Sequence, residues 1–276
     1  LARLVSHTFY NAGARVVRST HGGDAPLFRD PLWSSIELPF ANDYVTYGTG
    51  GATEVKQLVD ARQEKIPSTG NPTIHAGGSL FHSKIPSDSA ANKRIKTVHV
   101  IAQSFTGELR VLPNYNLPDV LYYDWHRRLL SAVKSAGFTT ISKRHPKGIR
   151  PELETYGDTA TSELRQASMA DTYASDGAYV LDFAGSAFME AMCTLKPVVL
   201  VHFPNRRLTD TGRQAIQKSA QLIEAKFDDR NRVVVDNQQL IDSINAPVNI
   251  EARQEFIQNY LTSYSDDILE IKHLIR

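Results

Sequence analysis

At 276 residues the chain holds one large domain or two modest ones, and its 41% hydrophobic and 22% charged residues are the proportions of an ordinary globular protein. A formal net charge of +1 excludes the global basic field of nucleic-acid-binding proteins, so nucleic acid is not an expected partner and each basic cluster is judged on its own. The single cysteine, Cys193, excludes an internal disulfide framework and any multi-cysteine metal site, and no apolar run of about 18 residues is present to span a membrane.

The chain begins at Leu1 without an initiator Met, already inside a predicted helix, and shows no signal peptide. It reads as a fragment whose N-terminal portion is absent, in a reducing, cytoplasmic setting. Arg3 to Ala12 is a predicted helix, and Arg15 to Thr20 a short strand ending at His21-Gly22-Gly23. A loop rich in Pro, Asp and aromatics runs to Asn42, and a strand from Asp43 to Tyr47 is closed by Gly48, Gly50 and Gly51. A helix over Thr53 to Glu64 follows, then an irregular linker over 66–96 carrying Pro67, Pro72 and Pro86.

Beyond the linker, Thr97 to Ala102 is an apolar strand. Asp119 is placed to N-cap a helix to Ala136, with Leu121, Trp125, Leu129 and Val133 on one stripe and Gly137 at its end. Strands at Thr139–Lys143, Ala178–Asp182 and Pro197–Phe203 alternate with a helix from Ala187 to Leu195, which buries Cys193 as a small inert thiol. A helix over Gln214–Lys226, a strand over Arg232–Val235 and a helix from Asn237 complete the alternation. Glu251 to Ile275 places Phe256, Tyr260, Tyr264, Ile268 and Ile271 on one face of a long amphipathic helix. The expected fold class is α/β: a Rossmann-like, doubly wound parallel sheet over 91–250, part of a second α/β domain over 1–90, and a C-terminal helix, 251–276, packing back on the first domain.

Three strand ends concentrate the chemistry. Asp182-Phe183-Ala184-Gly185-Ser186 leads from strand to helix within a few residues, so backbone N–H groups and the positive end of a helix dipole are presented where a phosphate sits, with the Ser186 hydroxyl beside them. Glu190, one turn on, reaches a neighbouring ribose hydroxyl. The same spacing equally suits an ordinary strand–turn–helix in which Ser186 is an N-cap and Glu190 a surface carboxylate. At the second strand end, Lys143-Arg144-His145-Pro146-Lys147-Gly148, Arg144 and Lys147 are placed to clamp phosphate oxygens and His145 to donate to them, unless the stretch is a solvated basic turn. At the third, Thr20-His21-Gly22-Gly23-Asp24, the glycines admit a ligand closely and His21 suits proton transfer, although a lone loop histidine is more often structural. No Asp-x-Asp pair of the metal-chelating kind stands at a strand end, and His75 and His82, seven residues apart in an irregular stretch, read as unrelated.

Together Gly185-Ser186, Glu190-Ala191 and Lys196-Pro197 resemble the donor-binding signature of GT-B glycosyltransferases. Adding His21-Gly22 and His145-Pro146, the likeness is closest to the capsule and teichoic-acid group, which includes capsular Kdo transferases and CDP-glycerol glycerophosphotransferases. The stretch Val100 to Arg110 and Tyr122-Tyr123-Asp124 are similar to surface-carbohydrate transferases as well. The Gly185-Ser186-Ala187 turn departs from the paired Ser/Thr of many relatives. The resemblance implies a CMP-, CDP- or UDP-linked sugar donor held by Arg144, His145, Lys147, Gly185 and Ser186, with Glu190 on the ribose. It implies His21 as general base, with Asp24 the alternative, a glycan or glycolipid acceptor, and peripheral membrane association through a larger synthase. Neither metal nor cofactor is expected, because cations and helix dipoles stabilise the departing phosphate. A CDP-glycerol-type phosphotransferase and an inactive binding domain are the alternatives.

Overall fold

The structure, a computed structural model, describes residues 2–29, 36–61, 71–87, 94–105, 117–146, 154–264 and 266. Lys147, Gly148, the predicted helix end at Glu64, Pro67, the stretch to Arg110, and Asp267, Ile268 and Ile271 lie outside the described residues. The chain divides into two compact units: the first takes Leu1–Ile85, Arg207–Ala215 and the chain from Gln254, the second Pro86–Arg206 and Ile216–Arg253. The first unit is thus discontinuous, where a contiguous 1–90 domain was expected.

In the second unit, β4 (Thr97–Ile101), β5 (Thr139–Lys143), β6 (Ser162–Leu164), β7 (Gly177–Leu181), β8 (Val198–His202) and β9 (Gln221–Glu224) form one six-stranded sheet. Its order is β6-β5-β4-β7-β8-β9, parallel at every pairing, with Ile101 opposite both Lys143 and Leu181. Counted along the chain this is 3-2-1-4-5-6, the Rossmann order. β7 and β8 are buried at every position, which explains their unbroken apolar runs. Helices α3 (Asp119–Ser135) and α6 (Asn237–Asn245) share a core with alternate strand residues: Trp125, Leu129, Val133, Leu240 and Ile244 meet Val98, Val100, Val180, Val199 and Val201. Asp119 is the first residue of α3 rather than its cap, which is Pro118. Gly137, at φ +90, closes the helix as expected of a left-handed C-terminal glycine. Asp236 caps α6, its carboxylate accepting the Gln239 N–H at 3.0 Å.

Two readings of the sequence are corrected in this half. The helix expected over Gln214–Lys226 is α5, Asp210–Ser219, followed by the edge strand β9. Thr209 starts it early, its Oγ1 accepting the Gly212 N–H at 2.9 Å. The Arg232–Val235 strand does not join the main sheet. Val233–Val234 (β11) pairs antiparallel with Lys226–Phe227 (β10), in a hairpin whose Asp228 carboxylate accepts the N–H groups of Arg230 and Arg232 at 2.9 and 2.8 Å.

The first unit carries α1 (Ala2–Asn11) and a three-stranded parallel sheet, β1 (Val17–Ser19), β2 (Asp43–Thr46) and β3 (Thr73–Ala76), covered by α2 (Thr49–Asp60). Leu38, Tyr44, Ala52, Val55, Val59 and Ile74 form its core. β3 lies in the stretch read as a linker. α2 starts four residues earlier than expected, after Gly48 at φ +68. A Cβ there would lie 2.1 Å from the Asn259 carbonyl oxygen, and one at Gly78 would lie 2.2 Å from that of Thr262, so only glycine admits these backbones. Those partners belong to the end of the chain: α7 (Ile250–Ile257) passes into a π-helical turn, Gln258–Thr262, and Ser263 is extended. The long helix expected from Glu251 therefore stops at Thr262, and Tyr264, expected on its apolar face, is 61% exposed. Among the described residues no helix is long and apolar enough to cross a membrane.

Candidate functional site

A Rossmann-ordered sheet opens a crevice where its winding reverses, beyond the carboxyl ends of the two central strands, here β4 and β7. Asp182, directly after β7, is buried there and receives the Gln103 side-chain amide at 3.1 Å on one oxygen and the Trp125 indole N–H at 3.1 Å on the other. The Tyr122 hydroxyl, which accepts the Gln103 backbone N–H at 2.7 Å, also bonds Asp182. Burial pushes the Asp182 carboxyl up to about 6, against the pull of these donors. The loops after β4 and β7 are thereby fastened at the reversal point. Sequence reasoning passed over Asp182 and Gln103, although a lone carboxylate ending an apolar strand was the signal.

Gly185, which has no side chain to cap with, is the N-cap of α4 (Ser186–Cys193), and Ser186 is its first residue, exposed. A Cβ on Gly185 would fall 2.4 Å from the Phe183 ring, and the Arg206 guanidinium stacks on that ring at 3.6 Å, bringing a cation from the loop after β8 to the same turn. Glu190 is half-buried and receives the Tyr173 hydroxyl at 2.5 Å. Burial raises its carboxyl, while Tyr173 and the Lys143 charge oppose the rise. Lys196, read as part of the donor signature, is internal: its ammonium donates to the carbonyls of Tyr173 and Ser175 and fixes the segment that presents Tyr173.

At the end of β5 two neighbouring cations, Lys143 and Arg144, take opposite faces of the sheet. Successive strand residues point to opposite faces. Ser142 and Arg144 share the face of α3, where His126 approaches Ser142 at 3.4 Å. Arg144, 5% exposed, lies 3.7 Å from the buried Glu163 carboxylate, so the phosphate clamp assigned to it is taken up inside the protein. Lys143 points the other way. It is 3% exposed, and its ammonium has only a 3.5 Å contact with the Arg144 carbonyl and no ion pair among the described residues. Burial lowers its pKa, and the charges of Glu190 and Asp171 partly restore it. His145 follows, exposed.

In the first unit, His21 follows β1 and is exposed, and Gly22 and Gly23 take φ of +91 and +81. A Cβ on Gly23 would lie 2.5 Å from the Tyr47 ring, so the turn lies flat against it. Asp24 precedes a short 3-10 turn, its carbonyl accepting the Leu27 N–H at 3.0 Å. Glu37, which sequence reasoning missed, accepts the backbone N–H of His21 and the Tyr44 hydroxyl, the latter at 2.5 Å. His75 bonds Asp43 at 2.9 Å and His82 bonds Ser79 at 2.7 Å, so these imidazoles serve different partners. Among the described residues no group of three or more His, Cys, Asp or Glu side chains is arranged to hold a metal ion.

Compared with known protein families and with curated proteins, the chain matches none.

Proposed function

We propose that this chain carries the nucleotide-sugar-binding half of a metal-independent GT-B glycosyltransferase of bacterial surface-polysaccharide synthesis, taking a CMP-, CDP- or UDP-linked sugar without a cofactor. The observation that carries this reading is that the C-terminal edge of one Rossmann-ordered sheet holds both a helix start with a glycine N-cap and a buried ammonium that forms no ion pair among the described residues. Burying an ammonium without a close ion pair costs several kcal/mol, which the more distant charges of Glu190 and Asp171 offset only in part and an incoming anion offsets further. A leaving nucleotide phosphate meets the dipole of α4, the Ser186 hydroxyl, Lys143 and the exposed His145. These groups stabilise negative charge as the glycosidic bond to phosphate breaks. Glu190, oriented by Tyr173, takes the ribose. His21 removes the proton of the acceptor hydroxyl, on a glycan or glycolipid.

The test is a thermal-shift panel of CMP, CDP, UDP, GDP and ADP. At about 100 times Kd, a bound nucleotide adds about 2.7 kcal/mol and raises Tm by roughly 5–10 °C. A rise with one nucleotide, lost in His145→Ala and about halved in Lys143→Met, supports the reading. No rise with any nucleotide sinks it.

A further inference from the structure

At the amino end of the six-stranded sheet, opposite the edge assigned to the donor, a cavity of about 40 Å³ lies between the start of β8, the turn from α5 into β9 and the connection from α6 to α7. Arg253 of α7, 1% exposed, lines it. Main-chain carbonyls hold the guanidinium: Nε donates to Ser219 at 2.6 Å, and Nη1 to Lys196 at 3.2 Å and Met192 at 3.4 Å. Ser219 ends α5 and Met192 lies in the last turn of α4, so the charge rests against the negative ends of two helices. Among the described residues no carboxylate pairs with it, and its Nη2 has no hydrogen-bond partner. Burial draws the guanidinium down to about 10. Lys218, exposed, lines the same cavity. Asn249 gives its Oδ1 to the Ala252 N–H at 3.1 Å, which leaves its amide nitrogen as a further donor. The lining residues include no Asp or Glu.

We propose that this cavity binds a small inorganic anion, with the Arg253 guanidinium as its buried anchor and Lys218 as its exposed one. One water needs roughly 10–15 Å³, so a cavity of this size admits an anion of a few atoms and excludes a nucleotide. A cation buried without a counter-ion carries a desolvation cost that carbonyls meet only in part, and an anion beside Nη2 offsets more of it. Guanidinium N–H groups form short, charge-assisted bonds to such anions. One ion then ties together the segments that start β8, end α5 and open α7, so its binding is felt as stability.

The site does not depend on the glycosyl-transfer reading, and its test tells the two apart. Unfolding midpoints of the whole chain are measured at fixed ionic strength as sodium gluconate, too bulky for the cavity, is replaced by phosphate or by chloride. At least one of the two is expected to raise Tm saturably, by roughly 5 °C or more at about 100 times Kd. Lys218→Met is expected to weaken that anion about threefold, and Arg253→Met to abolish its effect. Lys143→Met and His145→Ala, at the other end of the sheet, are expected to leave it unchanged. Should Arg253→Met not fold, the surface variant Lys218→Met still decides the matter. No saturable rise with either anion overturns the proposal, as does a rise that Lys218→Met leaves untouched. A rise lost in Lys143→Met instead places the anion at the donor edge and overturns it too. So does a rise that climbs without saturating in every variant, which is the general effect of excluded salts.

Discussion

Both sheets bury charged residues, but at opposite ends and in opposite states. In the three-stranded sheet the buried network stands at the amino end, where Asp43, the first residue of β2, accepts from Arg15 Nε and Nη2 at 2.7 and 3.0 Å and bonds the His75 imidazole at 2.9 Å. Every charge there is answered. In the six-stranded sheet the charges stand at the carboxyl end, where Arg144 is answered by Glu163 and Lys143, among the described residues, only by a carbonyl and by the more distant charges of Glu190 and Asp171. Residue type does not separate these cases. A closed network stabilises the fold, whereas an open buried charge is a cost that a ligand removes.

This contrast is broken most forcefully at Asp182, which closes the reversal point of the large sheet. Asp182→Ala strands the Trp125 indole and the Gln103 amide, with an expected loss of about 2–4 kcal/mol in urea unfolding. A loss under about 1 kcal/mol would mean that the crevice is not fastened there. The same group gives a pH signature. Its folded affinity for a proton exceeds the unfolded one, so its contribution to stability declines as pH rises from 3.8 to about 6 and is level above. Asp182→Asn should remove that slope, which unfolding midpoints measured from pH 4 to 7 will reveal.

Next in size is Asp43→Ala. It leaves His75 buried without its partner, while Arg15 is half-exposed and recovers water, so about 1–3 kcal/mol of stability is expected to go, with nucleotide affinity unchanged. Lys143→Met should do the reverse. Nucleotide affinity by calorimetry falls about tenfold, about 1.4 kcal/mol, while the unfolding midpoint holds or rises. If Lys143→Met unfolds the chain and spares affinity, Lys143 belongs with Asp43 as a structural charge.

The sequence made the central strands legible because β4, β7 and β8 are apolar runs bounded by turn signals. β9 was absorbed into a helix because Leu222 and Ile223 continue the spacing set by Ile216, and only pairing with β8 distinguishes the two. At the site, the turns at Gly185-Ser186 and His21-Gly22 were readable as strand ends. That Arg144 and Lys143 take opposite faces was readable in principle, since strand residues alternate, but it needed Glu163, far along the chain, to say which face Arg144 takes. Glu37 was out of reach. Its segment is held by Tyr44 and Arg18, and no local spacing encodes a loop folded back against two strands.

The glycines at 48 and 78 are fitted against the backbones of Asn259 and Thr262, so the unit that opens with β1 is finished by residues that follow the six-stranded sheet in the chain. On a ribosome adding about 5–20 residues per second, the first sheet waits roughly 10–35 s after Ile85 emerges before its final turn exists. The unit that holds the six-stranded sheet ends at Arg253. During synthesis the later half is therefore the first able to close, and the nascent first sheet spends that interval with two glycine-lined seats open to other chains.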